Sequence, residues 1–158
     1  IYEGANGVQA MDLVGRKLPR DGGRALMTFM NEVGAFLKEQ AADDAMKPFV
    51  APLQASLGHL QQASMWLMQN GLQNPDNAGA ASTDYMHLFG ITGLAYMWAL
   101  MAKVSLAKIA GGDTDPFYAN KISVGQYFLE RILPDAGAHL TKLKAGSANM
   151  MSIPAEAF

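Results

Sequence analysis

The chain contains no cysteine among its 158 residues. This absence excludes disulfide scaffolds, thiol nucleophiles and zinc–thiolate sites, and it is compatible with a reducing compartment. Neither sign of charge dominates, since 12 basic and 14 acidic residues give a net charge of −2. Domains that bind nucleic acid usually carry a concentrated basic surface, so we expect no nucleic-acid partner.

Strand patterns and common ligand-binding motifs are missing as well. Apolar and polar residues do not alternate over more than a few positions, which argues against β-sheets. The pairs Gly22-Gly23 and Gly111-Gly112 lack the spacing of a dinucleotide-binding loop and are interpreted as turns. A di-metal site in a helical bundle requires a histidine three residues after a glutamate on two helices. No glutamate of this chain has a histidine at that spacing, so we expect no bound metal.

Helical periodicity is what the sequence does contain. Apolar side chains recur at steps of three and four residues, and proline, glycine and acidic or hydroxyl residues mark the expected helix ends. The predicted helices cover residues 8–18, 24–41, 44–70, 84–111 and 115–133, the last with a short continuation to about residue 144 beyond Pro134. The polar segment 70–81 is predicted to be the longest loop.

This pattern predicts an all-α protein, an antiparallel helical bundle of the four-helix type with an extra N-terminal helix. Residues 1–20 would hold the opening segment and the first helix, and residues 21–144 would form the bundle module. Residues 145–158 lack a sustained period and are expected to be an extended or mobile tail.

The stretch from Tyr85 to Ala102 is nearly apolar and about long enough to cross a membrane. It also contains a histidine, a threonine and two glycines, and charged residues flank it. We therefore predict a buried central helix of the bundle and no transmembrane segment. Leu94 and Trp98, four residues apart, are predicted to lie inside the bundle.

The eleven methionines of the chain allow two interpretations. They could form an adaptable hydrophobic surface, or they could fill an irregular core. The second interpretation is favoured for the methionines that fall on or beside the apolar stripes, which are Met27, Met30, Met65, Met68, Met97 and Met101.

The first ten residues carry the strongest functional signal. They read Ile1-Tyr2-Glu3-Gly4-Ala5-Asn6-Gly7-Val8-Gln9-Ala10 and set one carboxylate between an aromatic residue and a glycine-rich stretch. This opening resembles the signature loop of the flavin-dependent acyl-CoA dehydrogenases, which usually reads Ile-Tyr-Glu-Gly-Thr and is followed by Ile-Gln or Val-Gln. Apolar neighbours would partly desolvate the carboxylate, and a glycine lets backbone approach a substrate closely.

The resemblance implies a role for each residue of the motif. Glu3 would be the catalytic base, removing the α-proton of an acyl-CoA thioester while FAD accepts a hydride from the β-carbon. Tyr2 and Gly4 would border the substrate. Three residues would border FAD: Ala5, Asn6 and Gly7. In the alternative interpretation, Glu3 is an ordinary residue near a helix N-terminus, where the helix dipole favours it, and Asn6 is the N-cap.

The resemblance also implies a molecular context. The chain looks like the catalytic loop joined to an additional C-terminal helical module that certain longer members carry, so upstream domains of the same chain would complete the flavin site. An electron-transfer flavoprotein would accept the electrons, and the enzyme would be a cytoplasmic homo-oligomer of fatty acid metabolism. The isolated segment is expected to be inactive and to bind no FAD. The competing hypothesis is a non-catalytic helical module for oligomerisation or for shielding an active site.

Other side chains could be imagined at such a site. His87 could be a buried acid–base group, and Trp66, Trp98, Tyr85 and Tyr96 could surround a flavin ring. Because all of these residues fall at helical spacing, core packing is favoured for the aromatic residues. For His87 we expect a core or boundary position and a hydrogen bond to a backbone carbonyl.

Overall fold

A computed structural model describes residues 4–157, and these residues form helices and connecting turns without a β-strand. The α-helices are α1 (Gly4–Asp12), α2 (Arg24–Gln40), α3 (Lys47–Trp66), α4 (Pro75–Ala110), α5 (Pro116–Arg131) and α6 (Asp135–Lys144). The prediction of an all-α protein is confirmed.

The long helix α4 is the centre of the bundle. Its 36 residues span about 54 Å, and it packs against α1, α3, α5 and α6. By length and composition alone this helix could cross a membrane, but one side of it is buried within the protein. The prediction of a central helix is therefore confirmed, although not for its whole circumference. Leu94 was placed inside wrongly, since it is 52% exposed, and Trp98 is only partly buried.

Two hydrophobic clusters fill the interior along α4. One is built around Phe49, Leu53, Tyr96, Phe128 and their neighbours, and the other around Leu60, Tyr85, Leu88, Leu140 and Leu143. Burying this apolar surface is the main source of stability for a bundle of this size.

Buried hydroxyl pairs connect α3 to α4 along these clusters. Ser56 and Thr92 lie 2.6 Å apart, and Ser64 and Tyr85 lie 2.8 Å apart. The later residue of α3 pairs with the earlier residue of α4, so the two helices are antiparallel. Each pair satisfies polar groups that would otherwise be costly to bury.

The beginning of α4 corrects a sequence prediction. The segment 70–81 was predicted to be a loop with a helix starting near residue 84, whereas α4 begins at Pro75. Asn74 accepts a hydrogen bond from the backbone N–H of Asp76 at 3.0 Å and caps the helix. Asp115 and Pro116 play the same parts at the start of α5, where this signal was interpreted correctly.

The remaining helix ends mostly agree with the sequence signals. Helix α1 begins at Gly4, four residues earlier than predicted, and a π-helical turn over Leu13–Lys17 extends it to the neighbourhood of Pro19. Pro134 separates α5 from α6 as expected. Gly22, Gly23 and Gly112 have positive φ angles, which explains why these turns use glycine.

The methionines do not fill the core as predicted. Met27, Met65, Met68 and Met97 are between 45% and 64% exposed. The fully buried methionine is Met46, at the start of α3. Helical spacing alone could not show which apolar side chains face outward.

Candidate functional site

The opening motif lies directly before a helix that is fixed to the bundle. Ala10 of α1 is fully buried, and Val14 in the following π-helical turn joins the hydrophobic cluster of α3, α4 and α6. A Cβ on Gly79 would lie 4.0 Å from the Sδ atom of Met11, so α1 runs beside the first turns of α4. Ile1, Tyr2 and Glu3 lie outside the described residues.

The first turn of α1 is open to solvent. Gly4, Ala5, Asn6 and Gly7 are all exposed and helical, and no other part of the described chain comes within 4 Å of the Cβ position at either glycine. The first N–H groups of a helix have no partner within the helix, and the helix dipole favours negative charge there. Asn6 is the third residue of α1, so its assignment as an N-cap is wrong.

The carboxylate of Asp12, at the other end of α1, is paired with two basic side chains. Arg16 donates from Nη2 to Oδ2 of Asp12 at 2.9 Å, and the Nζ atom of Lys17 lies 3.3 Å from the same oxygen. The hydrogen bonds from Arg16, the largest cause, lower the pKa of Asp12 below its ordinary value. Asp12 is therefore a poor proton acceptor.

A second polar constellation lies between α4 and α6. The Nδ1 atom of His139 is 2.7 Å from the Oδ1 atom of Asp84, and the rings of His139 and His87 have centroids 5.3 Å apart. His87 is exposed and its ring packs against that of His139, so its predicted core or boundary position is wrong. Asp84 and His139 are 55 residues apart in the sequence, so no local motif could predict that they pair.

The third histidine borders a small cleft. His59 lines a cavity of about 200 Å³ together with Pro52, Ser56, Leu133 and Pro134. Its buried Nδ1 atom has no hydrogen-bond partner among the described residues. Across residues 4–157, no three histidine or acidic side chains meet as metal ligands.

The aromatic side chains serve the core, as the sequence analysis favoured. Tyr85 and Tyr96 are buried, and Trp66 and Trp98 pack against the two clusters. Burial raises the pKa of Tyr85 to about 12. Tyr85 and Trp66 belong to the cluster that also contains Val14, so these two rings are part of the scaffold behind α1.

Residues 29–154 match the sequence profile of a protein family described as "Acetyl-CoA dehydrogenase C-terminal like". The match covers most of the chain, from within α2 to beyond α6. The chain belongs to this family. The resemblance to the acyl-CoA dehydrogenases is confirmed at the level of the family. The opening motif lies outside the matched residues.

Two curated enzymes are similar to the chain over most of its length. It is 29% identical over 144 residues, 90% of the chain, to the 3-methylmercaptopropionyl-CoA dehydrogenase of Ruegeria pomeroyi. It is 27% identical over 143 residues, 85% of the chain, to the broad-specificity linear acyl-CoA dehydrogenase FadE5 of Mycobacterium tuberculosis. The aligned segments cover 24% and 23% of those enzymes, so the chain spans about a quarter of their length.

Proposed function

We propose that this chain is the C-terminal region of an FAD-dependent acyl-CoA dehydrogenase and that Glu3 is the catalytic base. The observation that carries the proposal is the position of the motif. Ile1-Tyr2-Glu3-Gly4 ends where α1 begins, and the independent family match begins only at residue 29. A chance resemblance of the opening residues would not be expected in a chain that belongs to this family on other grounds.

The anchoring of α1 supports a positional role for the glutamate. Ala10 and Val14 fix the helix to the bundle, and Glu3 directly precedes the helix's first residue. A base must be held within hydrogen-bond reach of the proton that it removes. In the proposed reaction Glu3 takes the α-proton of an acyl-CoA thioester, and Tyr2 and Gly4 border the acyl chain.

The open first turn of α1 fits the proposed cofactor contact. Ala5, Asn6 and Gly7 are exposed there, and the free N–H groups of a helix N-terminus suit a diphosphate. Ala5 can offer only its backbone, because it lacks the hydroxyl of the usual threonine. FAD, when bound, supplies the hydride acceptor. Upstream domains would enclose it, an electron-transfer flavoprotein would receive the electrons, and the enzyme would act in cytoplasmic fatty acid metabolism.

The proposal is tested by Glu3→Gln in the full-length enzyme, with flavin reduction by acyl-CoA followed in a stopped-flow instrument. Glutamine keeps the shape and removes the proton acceptor. The rate of flavin reduction should fall by about a hundredfold to ten-thousandfold, while acyl-CoA binding is retained. Glu130→Gln is the matched control, because Glu130 is exposed on α5. A Glu3→Gln enzyme that reduces its flavin at nearly the parental rate would show that Glu3 is not the base.

A further inference from the structure

Three polar side chains between α4 and α6 form a cluster that the proposed catalysis does not use. Asp84 and His87 are three residues apart on α4 and therefore lie on the same face of that helix. His139 of α6 is next to both. Its Nδ1 atom is 2.7 Å from the Oδ1 atom of Asp84, and its ring centroid is 5.3 Å from that of His87. We refer to these three residues as the histidine cluster.

The hydrophobic core holds the backbone of the histidine cluster in place. The residue that follows each member of the cluster is buried, namely Tyr85, Leu88 and Leu140. The side chains of Asp84 and His139 are themselves only 22% and 18% exposed. Because these groups are already positioned, less conformational freedom is lost when they bind a ligand together.

The hydrogen bond to Asp84 determines which nitrogen of His139 is free. An ionised carboxylate can only accept a hydrogen bond, so the Nδ1 atom of a neutral His139 carries the hydrogen and donates it. The lone pair is then on Nε2, on the other side of the ring. Histidines that bind metals usually donate from their second nitrogen in this way, because the carboxylate orients the ring and makes the free nitrogen more basic.

The separation of the two imidazole rings fits two ligands of one metal ion. A metal–nitrogen bond of about 2.0–2.1 Å places the centroid of a bound imidazole about 3.2 Å from the metal. Two such ligands at a tetrahedral angle have centroids roughly 5 Å apart, and the centroids of His87 and His139 are 5.3 Å apart. The two rings are tilted by 34° and are not stacked in parallel.

We propose that the histidine cluster binds one divalent transition-metal ion of the zinc type. His139 binds it through Nε2 and His87 through one ring nitrogen, Asp84 positions His139, and water occupies the remaining coordination positions. Imidazole suits zinc, copper and nickel, whereas magnesium and calcium prefer oxygen ligands. The site needs two protein ligands and so differs from the three-residue ligand sets that residues 4–157 lack. It also does not use the glutamate–histidine pairs whose absence led us to expect no metal.

Metal binding at this site would join two helices that are not consecutive. Helices α4 and α6 pack side by side, and α5 separates them in the sequence. An ion that binds only the folded arrangement stabilises it by mass action. Zn²⁺ should therefore raise the urea midpoint of the parent chain and leave unchanged that of the double variant His87→Ala with His139→Ala.

Isothermal titration calorimetry of the untagged 158-residue chain with ZnCl₂ in a metal-free buffer measures the affinity directly. The parent should bind one Zn²⁺ per chain and no Mg²⁺. His87→Ala and His139→Ala should each weaken Zn²⁺ binding by at least about tenfold, and Asp84→Asn by about ten- to a hundredfold. His59→Gln is the matched control. His59 is on α3 and lines a separate cleft, so this variant should bind Zn²⁺ like the parent. Circular dichroism checks that every variant is folded.

Nuclear magnetic resonance identifies the atoms that bind the ion. In long-range proton–nitrogen spectra of the histidine rings, Zn²⁺ should shift Nε2 of His139 and one nitrogen of His87. Nδ1 of His139 should keep its hydrogen, and the signals of His59 should not move. A Zn²⁺-induced shift at Nδ1 of His139 in place of Nε2 would contradict the part assigned to Asp84.

The other outcomes also decide the question. A folded parent chain that binds no Zn²⁺ overturns the proposal. Undiminished binding by the double variant places the ion elsewhere and overturns it as well. If only one of the two single variants loses affinity, the ion is bound by one surface histidine and the bridge between α4 and α6 is refuted. None of these measurements involves flavin or acyl-CoA, so their results are independent of whether Glu3 is the catalytic base.

Discussion

Gly125 lies where α5 crosses α3 and α4, and its replacement by alanine tests how tightly the bundle is packed. A Cβ at this position would lie 3.0 Å from the Cε1 atom of Phe49 and 3.3 Å from the Cε3 atom of Trp98. Phe49 is almost completely buried within the core. Its ring therefore cannot swing into solvent to make room, and the helices must separate or the ring must leave its preferred position.

The expected change in stability follows from two opposing terms. Alanine is favoured over glycine in a helix interior by about 1 kcal/mol, and overpacking a core costs about 1–3 kcal/mol. Because both contacts are to aromatic rings, we expect the second term to be at least as large as the first, with Gly125→Ala losing about 0–2 kcal/mol. Gly34→Ala in α2 is the matched control. No atom lies within 4 Å of its Cβ position, so this variant should gain about 0.5–1 kcal/mol.

Urea denaturation followed by circular dichroism measures both effects. With a slope of about 2 kcal/mol per molar urea, the midpoint for Gly125→Ala should fall by up to about 1 M, whereas the midpoint for Gly34→Ala should rise by about 0.3–0.5 M. A Gly125→Ala chain that is stabilised as much as the control would refute the inference that α5 is closely packed on Phe49.

Two further predictions concern the connections and the buried polar groups. Gly146 and Gly112 both have positive φ angles, so alanine should cost about 1–2 kcal/mol at each. Gly146→Ala should lose about 1 kcal/mol more than Gly112→Ala in the same denaturation assay. The reason is that its Cβ would lie 2.9 Å from the Oδ1 atom of Asn77, which is held by hydrogen bonds from Ser147. Equal losses would contradict the clash. Burial raises the pKa of Tyr85 to about 12, above the ordinary value of about 10. The stability that the neutral Tyr85 hydroxyl contributes is complete below pH about 10 and is lost as pH rises through about 12. The stability of Tyr85→Phe should therefore fall less steeply at alkaline pH than that of the parent chain. Identical pH profiles would show that Tyr85 does not cause the alkaline loss of stability.

The helices could be predicted from the sequence because their signals are local. Asp115-Pro116 marked the start of α5 correctly, since an acidic cap before a proline acts within one turn. Asn74-Pro75 is the same signal and begins α4. It was misjudged because the asparagines and glycines around it are also typical of loops. The local sequence was sufficient to predict the helix start at both positions. At Asn74 the loop signals of the neighbouring residues were given too much weight.

Which side of α4 is buried could not be predicted from the sequence in the same way. A helix that is apolar on every side carries no periodic signal for its buried face, and its orientation is decided by where α3, α5 and α6 contact it. Ser56 and Ser64 pair with Thr92 and Tyr85, which turns that side inward. Leu94 and Met97 then face outward, although they are as apolar as the residues that are buried.

The candidate site also has a part that local sequence could predict and a part that it could not. The motif around Glu3 is contiguous, so a sequence alone suggests its chemistry. The pair formed by Asp84 and His139 exists only because α4 and α6 pack together. Contacts of this kind depend on the tertiary arrangement and leave no trace at fixed spacing.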